Sequence, residues 1–319
     1  MHIPKTAGTS FRMALEQQFS SDKGLLDYGK LAVQTSEKIL DLAYTQPDLF
    51  ALKRHIEDSG IRFLSGHVEA KKYVCLFGAE SLTTFVRDPI ERLYSEFTHA
   101  KTRNGFDNSF SKFIERAFRR DLQSKWFGEV PIPAFGQIGL TETYLESLSK
   151  INRHFEVSLP ELTLNTREDT NRTTSDISTE LLDEARALNA ADISFYKDVV
   201  DWLKIEERYG RHVEPAFVRG EVNFPQNCTI AGWASREGSD EPVVVELRKN
   251  GEKVDERSAT KLRPRLRSFK MPREGHLGFR FKVPNLDTED RYEVVVKQTD
   301  QPLLNGVIHK GTQTTNVEG

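Results

Sequence analysis

A lysine, a glycine and three hydroxyls crowd into the opening stretch His2-Ile3-Pro4-Lys5-Thr6-Ala7-Gly8-Thr9-Ser10. Such a set suits an anion. The first N–H groups of a helix lack intrahelical acceptors and carry a partial positive charge, so a phosphate or sulfate is held well at a helix start. Gly8 lets the backbone approach the anion closely, and Lys5 adds a full charge. The order differs from a Walker A loop, where lysine follows the last glycine; here Lys5 precedes Gly8. Taken alone, the segment reads equally well as an ordinary helix cap beside a surface lysine.

A second set lies in Phe85-Val86-Arg87-Asp88-Pro89-Ile90-Glu91-Arg92-Leu93-Tyr94-Ser95. Arg87 closes an apolar run, and strand ends in open α/β sheets are where ligands bind. Ser95 stands seven positions past Asp88, about two helical turns on and so on the same face. A guanidinium and a hydroxyl there could grip one phosphate together. In isolation the pattern reads instead as Arg87 paired with Asp88 or Glu91.

These groups act together only if the chain positions them. Phe11, Ala14, Leu15 and Phe19 recur at helical spacing, which predicts a helix from Thr9 or Ser10. Residues 61–64 and 81–86 read as short buried strands, the second feeding a helix. That helix starts with Asp88 as N-cap, Pro89 at the first position and Glu91 completing a capping box. Ile90, Leu93, Tyr94 and Phe97 form its apolar face. Phe110, Phe113, Ile114, Ala117 and Phe118 mark another amphipathic helix, and Tyr144, Leu145, Leu148 and Ile151 a third. Residues 161–165 read as a strand, followed by a polar loop. Helices return between about Ser178 and Tyr209, with Phe195, Val199 and Leu203 on one face.

Near Pro215 the pattern changes to short alternating segments such as CTIAGWA, PVVVELRK and RYEVVVK. Asn250-Gly251, between two of them, signals a type I′ hairpin. The expectation is an α/β domain over residues 1–214, with a P-loop-like parallel sheet flanked by helices. A C-terminal all-β sandwich follows over 215–308, and a tail over 309–319.

The 319 residues are 37% hydrophobic and 29% charged, the composition of a globular protein. A net charge of −3 supplies no global basic field, so nucleic acid is not an expected partner and any anion site is local. Cys75 and Cys228 spell neither a disulfide framework nor a metal site. No apolar run approaches the roughly 20 residues of a membrane span. No signal-peptide pattern is present either, so the expected location is cytoplasmic. A parallel sheet normally places a strand ahead of the first loop. None is read before His2, from which a misassigned start or a truncated form is expected.

Together, HIPKTAGTS and FVRDPIERLYS resemble the paired nucleotide-binding motifs of the sulfotransferases that use 3′-phosphoadenosine 5′-phosphosulfate (PAPS). The likeness is to the branch containing heparan-sulfate 2-O-sulfotransferases and bacterial relatives. It is strong over about the first hundred residues and thins through about residue 210, where Asp192, Phe195 and Tyr196 resemble a late helix of the family. The resemblance implies that Lys5, Thr6, Gly8, Thr9 and Ser10 line the phosphosulfate, and that Arg87 and Ser95 take the 3′-phosphate. It further implies that His67, in Leu64-Ser65-Gly66-His67-Val68, is the catalytic base. Some relatives carry a second histidine where this chain has Ser65. Lys5 would stabilise the departing bisphosphate, and no metal is implied.

The activity so implied is sulfuryl transfer to an acceptor hydroxyl, with a carbohydrate as the expected acceptor. One alternative is a phosphoryl-transferring P-loop enzyme, against which stand the loop order and the lack of a magnesium-binding constellation. The other is a non-catalytic glycan-binding protein with a degenerate α/β domain. The β-domain, with Gly232-Trp233 and Gly278-Phe279, resembles small modules appended to bacterial glycan-modifying enzymes. Its basic run Lys261, Arg263, Arg265, Arg267, Lys270 and Arg273 reads as a solvated strand edge or a polyanion tether. Trp126, Phe127 and Phe135 suit an acceptor cleft or a core. Asn165, Arg167, Asn171 and Arg172 lie in a polar loop read as solvated, from which they could also close over a nucleotide.

Overall fold

A computed structural model of the chain describes residues 1–162, 177–211, 217–223, 229–283 and 290–308. The chain forms two compact units. One comprises Met1–Phe77, Ser81–Val130 and Phe135–Lys197; the other comprises Gly78–Glu80, Pro131–Ala134 and Asp198–Gly319.

Helices of the first unit are α1 (Gly8–Phe19), α2 (Glu37–Leu40), α3 (Leu49–Asp58), α4 (Lys71–Phe77) and α5 (Pro89–Arg103). They continue with α6 (Phe110–Ile114), α7 (Leu122–Phe127), α8 (Tyr144–Phe155), α9 (Thr179–Ala187) and the first part of α10 (Ala190–Arg208). Its strands are β1 (Gly24–Asp27), β2 (Phe63–Gly66), β3 (Thr83–Val86) and β4 (Gln137–Leu140). In place of one continuous parallel sheet, the strands form two parallel pairs. Gly24 to Asp27 lie opposite Phe63 to Gly66, and Thr83 to Val86 opposite Gln137 to Leu140. Met1 and His2 reach both pairs: the Met1 amine donates to the Thr83 carbonyl (3.1 Å) and the His2 N–H to that of Gly66 (2.8 Å).

Apolar spacing accounts for the layers. Phe11 and Ala14 of α1 bury with Phe85, Leu148 and Ile151 in one cluster, while Leu25, Leu52, Val68 and Tyr73 form another. A third gathers Ile90, Leu93 and Tyr94 of α5 around Phe110 and Phe113. The start of α5 follows its local signals: the Asp88 carboxylate accepts from the Ile90 and Glu91 N–H groups (both 3.0 Å), and Pro89 is the first residue. The return arm of the capping box differs, because the Asp88 N–H donates to Glu142 (2.7 Å). The Phe110 helix is shorter than its apolar spacing implies. Arg120 donates to the Ile114 and Glu115 carbonyls (3.2 and 2.9 Å) and so ends the helix there.

The second unit carries β5 (Val218–Asn223), β6 (Thr229–Arg236), β7 (Val244–Lys249), β8 (Glu252–Ser258) and β9 (Lys261–Leu262). After α11 (Pro264–Ser268) come β10 (His276–Lys282), β11 (Tyr292–Val296) and β12 (Pro302–Ile308). The expected sandwich of two separate sheets is instead one curled sheet of order β8-β7-β11-β12-β5-β6-β10-β9. A parallel pairing of β12 with β5, at Leu304 and Glu221, fuses the two antiparallel halves. Curling brings β10 against β8 and encloses Val218, Ile230, Val245, Phe279, Phe281 and Val294. The β7–β8 turn has the expected form, with φ of 51° at Asn250 and 89° at Gly251.

The division between the units falls inside α10, ahead of the position near residue 215 read from composition. Trp202 of that helix packs its ring on Phe217 (5.8 Å between centroids), which draws the end of α10 into the second unit. Arg219 does the same for the two short excursions: buried, it donates to the Pro133 carbonyl (2.7 Å) and to Glu80 (2.6 Å). The basic run is no single strand edge. Lys261 lies on β9, while Arg265 and Arg267 lie on α11. Arg263 is turned inward, donating to the Gly232 carbonyl (2.9 Å), and Arg273 donates to that of Asp240 (3.0 Å).

Candidate functional site

Four strand ends converge on one cleft of about 850 Å³ in the first unit. Tyr28 follows β1, His67 follows β2, Arg87 follows β3 and Thr141 follows β4, and all four residues line it. The strands therefore run in one direction, and the cleft lies beyond their carboxyl ends, where open α/β sheets bind ligands.

The first loop enters this cleft in an unusual backbone form. Lys5 and Ala7 both have left-handed φ, 69° and 61°. For residues with a side chain this costs about 1–3 kcal/mol each and clusters at ligand sites. Left-handed residues alternating with other conformations turn successive N–H groups toward one point, which makes a nest for an anion. Ala7 is also the N-cap of α1 and has no side chain with which to cap it. The first-turn amides thus rely on some other acceptor.

Lys5, Gly8, Thr9 and Ser10 line the cleft, as do Arg87 and Ser95, so the fold gathers six of the residues singled out for donor binding. Thr6 stands apart. Its hydroxyl donates to the Ile3 carbonyl (2.9 Å), closing the loop on itself, and the side chain is buried away from the cleft. Gly8 has a stronger reason to be glycine than close approach of an anion: a Cβ there would lie 1.8 Å from Cδ2 of His2. The His2 ring covers the start of α1.

Arg87 is held from behind. Its N–H donates to Oε1 of Gln123 (2.9 Å) and its carbonyl accepts from Nε2 of the same amide (2.8 Å). Gln123 is wholly buried, and Asp192 accepts from the N–H groups of Gln123 (3.1 Å) and Ser124 (2.7 Å) at the start of α7. Burial raises the Asp192 pKa, against the opposing pull of those amides and of Arg92. The Arg87 guanidinium reaches Glu91 at 3.4 Å, a loose pairing on the rim. Two further arginines, Arg12 and Arg119, line the cleft. Arg12 pairs with Glu16 one turn along α1 (3.2 Å), and Glu96 binds both Arg119 and the buried Arg92. Four cationic side chains thus face the cleft in a chain of net charge −3. Sequence spacing missed Arg12, Arg119 and Gln123, because their relation to Arg87 is tertiary.

His67 opens one edge to the cleft and is walled by rings: His2 (4.6 Å between centroids), Tyr28 (4.7 Å) and Trp126 (5.9 Å). His67 is nonetheless exposed on its cleft side, and partial desolvation by its surroundings pushes its pKa down to about 4. His67 is therefore neutral at pH 7 and able to accept a proton. His2 is buried, its Nδ1 3.3 Å from the Tyr28 hydroxyl, and burial foremost, with His67 and the nearby cations adding, pushes its pKa down to about 3. His99 also lines the cleft, its pKa lowered by burial, Lys5 and Arg103. Ser65 is buried and does not line the cleft. Phe127 and Phe135 are core residues stacked at 4.4 Å, while Trp126 alone of that trio touches the His67 ring. Asn165, Arg167, Asn171, Arg172 and Cys228 lie outside the described residues.

No family model, curated protein or solved structure matches this chain. The functional reading therefore rests on the cleft. Among the described residues no cluster of three metal-ligating side chains occurs, and no helix is long and apolar enough to cross a membrane.

Proposed function

We propose that this chain is a sulfotransferase that takes a sulfuryl group from PAPS and places it on an acceptor hydroxyl, with a carbohydrate as the acceptor class. One observation carries the reading: Lys5, Arg12, Arg87, Arg119 and the start of α1 face the same cleft as a neutral histidine. A donor with two separated anionic groups needs two separated cationic grips, and the α1 loop and the β3 end supply them. The acceptor hydroxyl gives its proton to His67 as its oxygen attacks sulfur. The bond from sulfur to the bridging phosphate oxygen breaks, and the charge left on the bisphosphate is met by Lys5 and the α1 amides.

Calorimetry with 3′-phosphoadenosine 5′-phosphate and 5′-AMP tests the assignment. The bisphosphate is expected to bind at least tenfold tighter. Arg87→Ala should erase most of that margin, since a charge-assisted hydrogen bond is worth roughly 1.5–3 kcal/mol. Equal affinity of the wild type for the two nucleotides would remove the donor assignment.

A further inference from the structure

The loop that joins β1 to α2 has two faces. Tyr28, Ala32 and Gln34 line the cleft, Tyr28 against the His67 ring. Leu31 and Val33, between and beside them, are 96% and 98% exposed and so touch almost nothing of their own chain. The loop is braced from within. The buried Thr35 hydroxyl accepts from the Tyr28 N–H (3.0 Å) and donates to the Gly29 carbonyl (2.8 Å). The Leu26 N–H donates to the Ser36 hydroxyl, and the Ser36 N–H to the Leu26 carbonyl (both 2.9 Å). Two apolar side chains are thus held out on a fixed support, with Lys30 exposed next to them. Phe50 and Leu145 are exposed as well, in the first turns of α3 and α8. Because α3 leads back to the start of β2 and α8 leaves the end of β4, both turns lie at the carboxyl end of the strands, as the cleft does.

We propose that this loop docks the first unit on a lipid bilayer, with Leu31 and Val33 entering the acyl layer and Lys30 resting among the headgroup phosphates. Docked in this way, the cleft meets the headgroup layer, so the acceptor is a glycolipid; that second step rests on the sulfotransferase reading, whereas the docking does not. Shape favours lipid over a protein partner. A convex tip of two side chains falls far short of the roughly 800 Å² per partner of a stable protein interface. A fluid apolar phase takes such a tip without a matching socket, and its hold grows with the apolar area inserted. Charge favours it too. Lys5, Arg12, Arg87 and Arg119 line the cleft at the same end of a chain whose net charge is −3, and anionic lipids attract cations held near their surface.

The test floats the whole chain with vesicles of phosphatidylcholine containing about one-fifth phosphatidylglycerol. The wild type is expected to rise with them. Leu31→Ser combined with Val33→Ser should weaken partitioning about tenfold or more. Melting temperature and affinity for 3′-phosphoadenosine 5′-phosphate should stay unchanged, since neither side chain packs on the fold or lines the cleft. Lys30→Gln should weaken partitioning a few-fold on these vesicles and not on pure phosphatidylcholine. Fluorescence gained in Leu31→Trp should be quenched by lipids brominated on their acyl chains. A chain that docks through the loop yet fails to bind the bisphosphate keeps the docking and loses the glycolipid step with the donor assignment. Three results overturn the proposal. One is a wild type that stays with the buffer, or partitioning that the double serine variant leaves intact. Another is a wild-type dimer that the double variant makes monomeric, which makes a second copy the cover of the loop. The last is dodecyl glucoside bound through Leu31 and Val33 with no hold on vesicles, which makes the loop a reader of single amphiphiles.

Discussion

The proposal that His67 is the base carries a specific acid limb. His67 holds a pKa of about 4, against about 6.5 for a solvated histidine. At pH 5.5 the first value leaves roughly 97% of the imidazole neutral and the second only about 9%, a tenfold difference in available base. The donor-turnover profile is therefore expected to stay near its plateau at pH 5.5 and to fall with a midpoint near 4. Tyr28→Ala removes a ring 4.7 Å from His67 and admits water to that face. Charged imidazolium is then better solvated, so the His67 pKa moves up toward 6.5 and the acid limb moves with it. Proton NMR of the His67 ring, assigned against His67→Asn, reads the titration without any acceptor. Wild-type His67 titrating near 6.5, or an unchanged pKa in Tyr28→Ala, would refute the argument that the ring wall sets its protonation.

The remaining expectations concern His2. Because its folded pKa is lowered to about 3, His2 is neutral in the fold, and the stability this represents is complete above pH 6.5 and is lost as pH falls toward 3. Urea melts of the wild type at pH 7.5 and 5.0 should differ by about 2 kcal/mol more than those of His2→Gln; identical pH losses would show that His2 does not titrate with unfolding. Gly8→Ala should cost about 1–3 kcal/mol by driving a methyl into the His2 ring, and His2→Ala in the same chain should restore part of it. Additive losses in thermal melts would mean that the two residues do not meet.

Local chemistry was legible in the chain wherever a signal and its effect lie within one or two turns. The Asp88 cap, Pro89 at the start of α5, the helix behind the first loop and the Asn250-Gly251 turn all depend on neighbours a few residues apart. Residue type and spacing made the two loops candidates for anion sites, but taken singly the first read equally well as a helix cap and the second as an ion pair of Arg87. Only tertiary structure decided that the loops share a cleft, that Thr6 turns inward, and that Arg12 and Arg119 join the cationic set. It decided, too, that Gln123 and Asp192 brace Arg87 from residues 36 or more positions away. The β-rich half shows the same limit. Alternation identifies strands, but a parallel pairing of β5 with β12 turns two expected sheets into one, and no local pattern encodes which edges meet. His67 makes the point at the scale of one atom. The residue type offers a titratable group, and the rings of His2, Tyr28 and Trp126 that border it come from three other parts of the chain, so the partial desolvation that lowers its pKa is a property of packing and not of sequence.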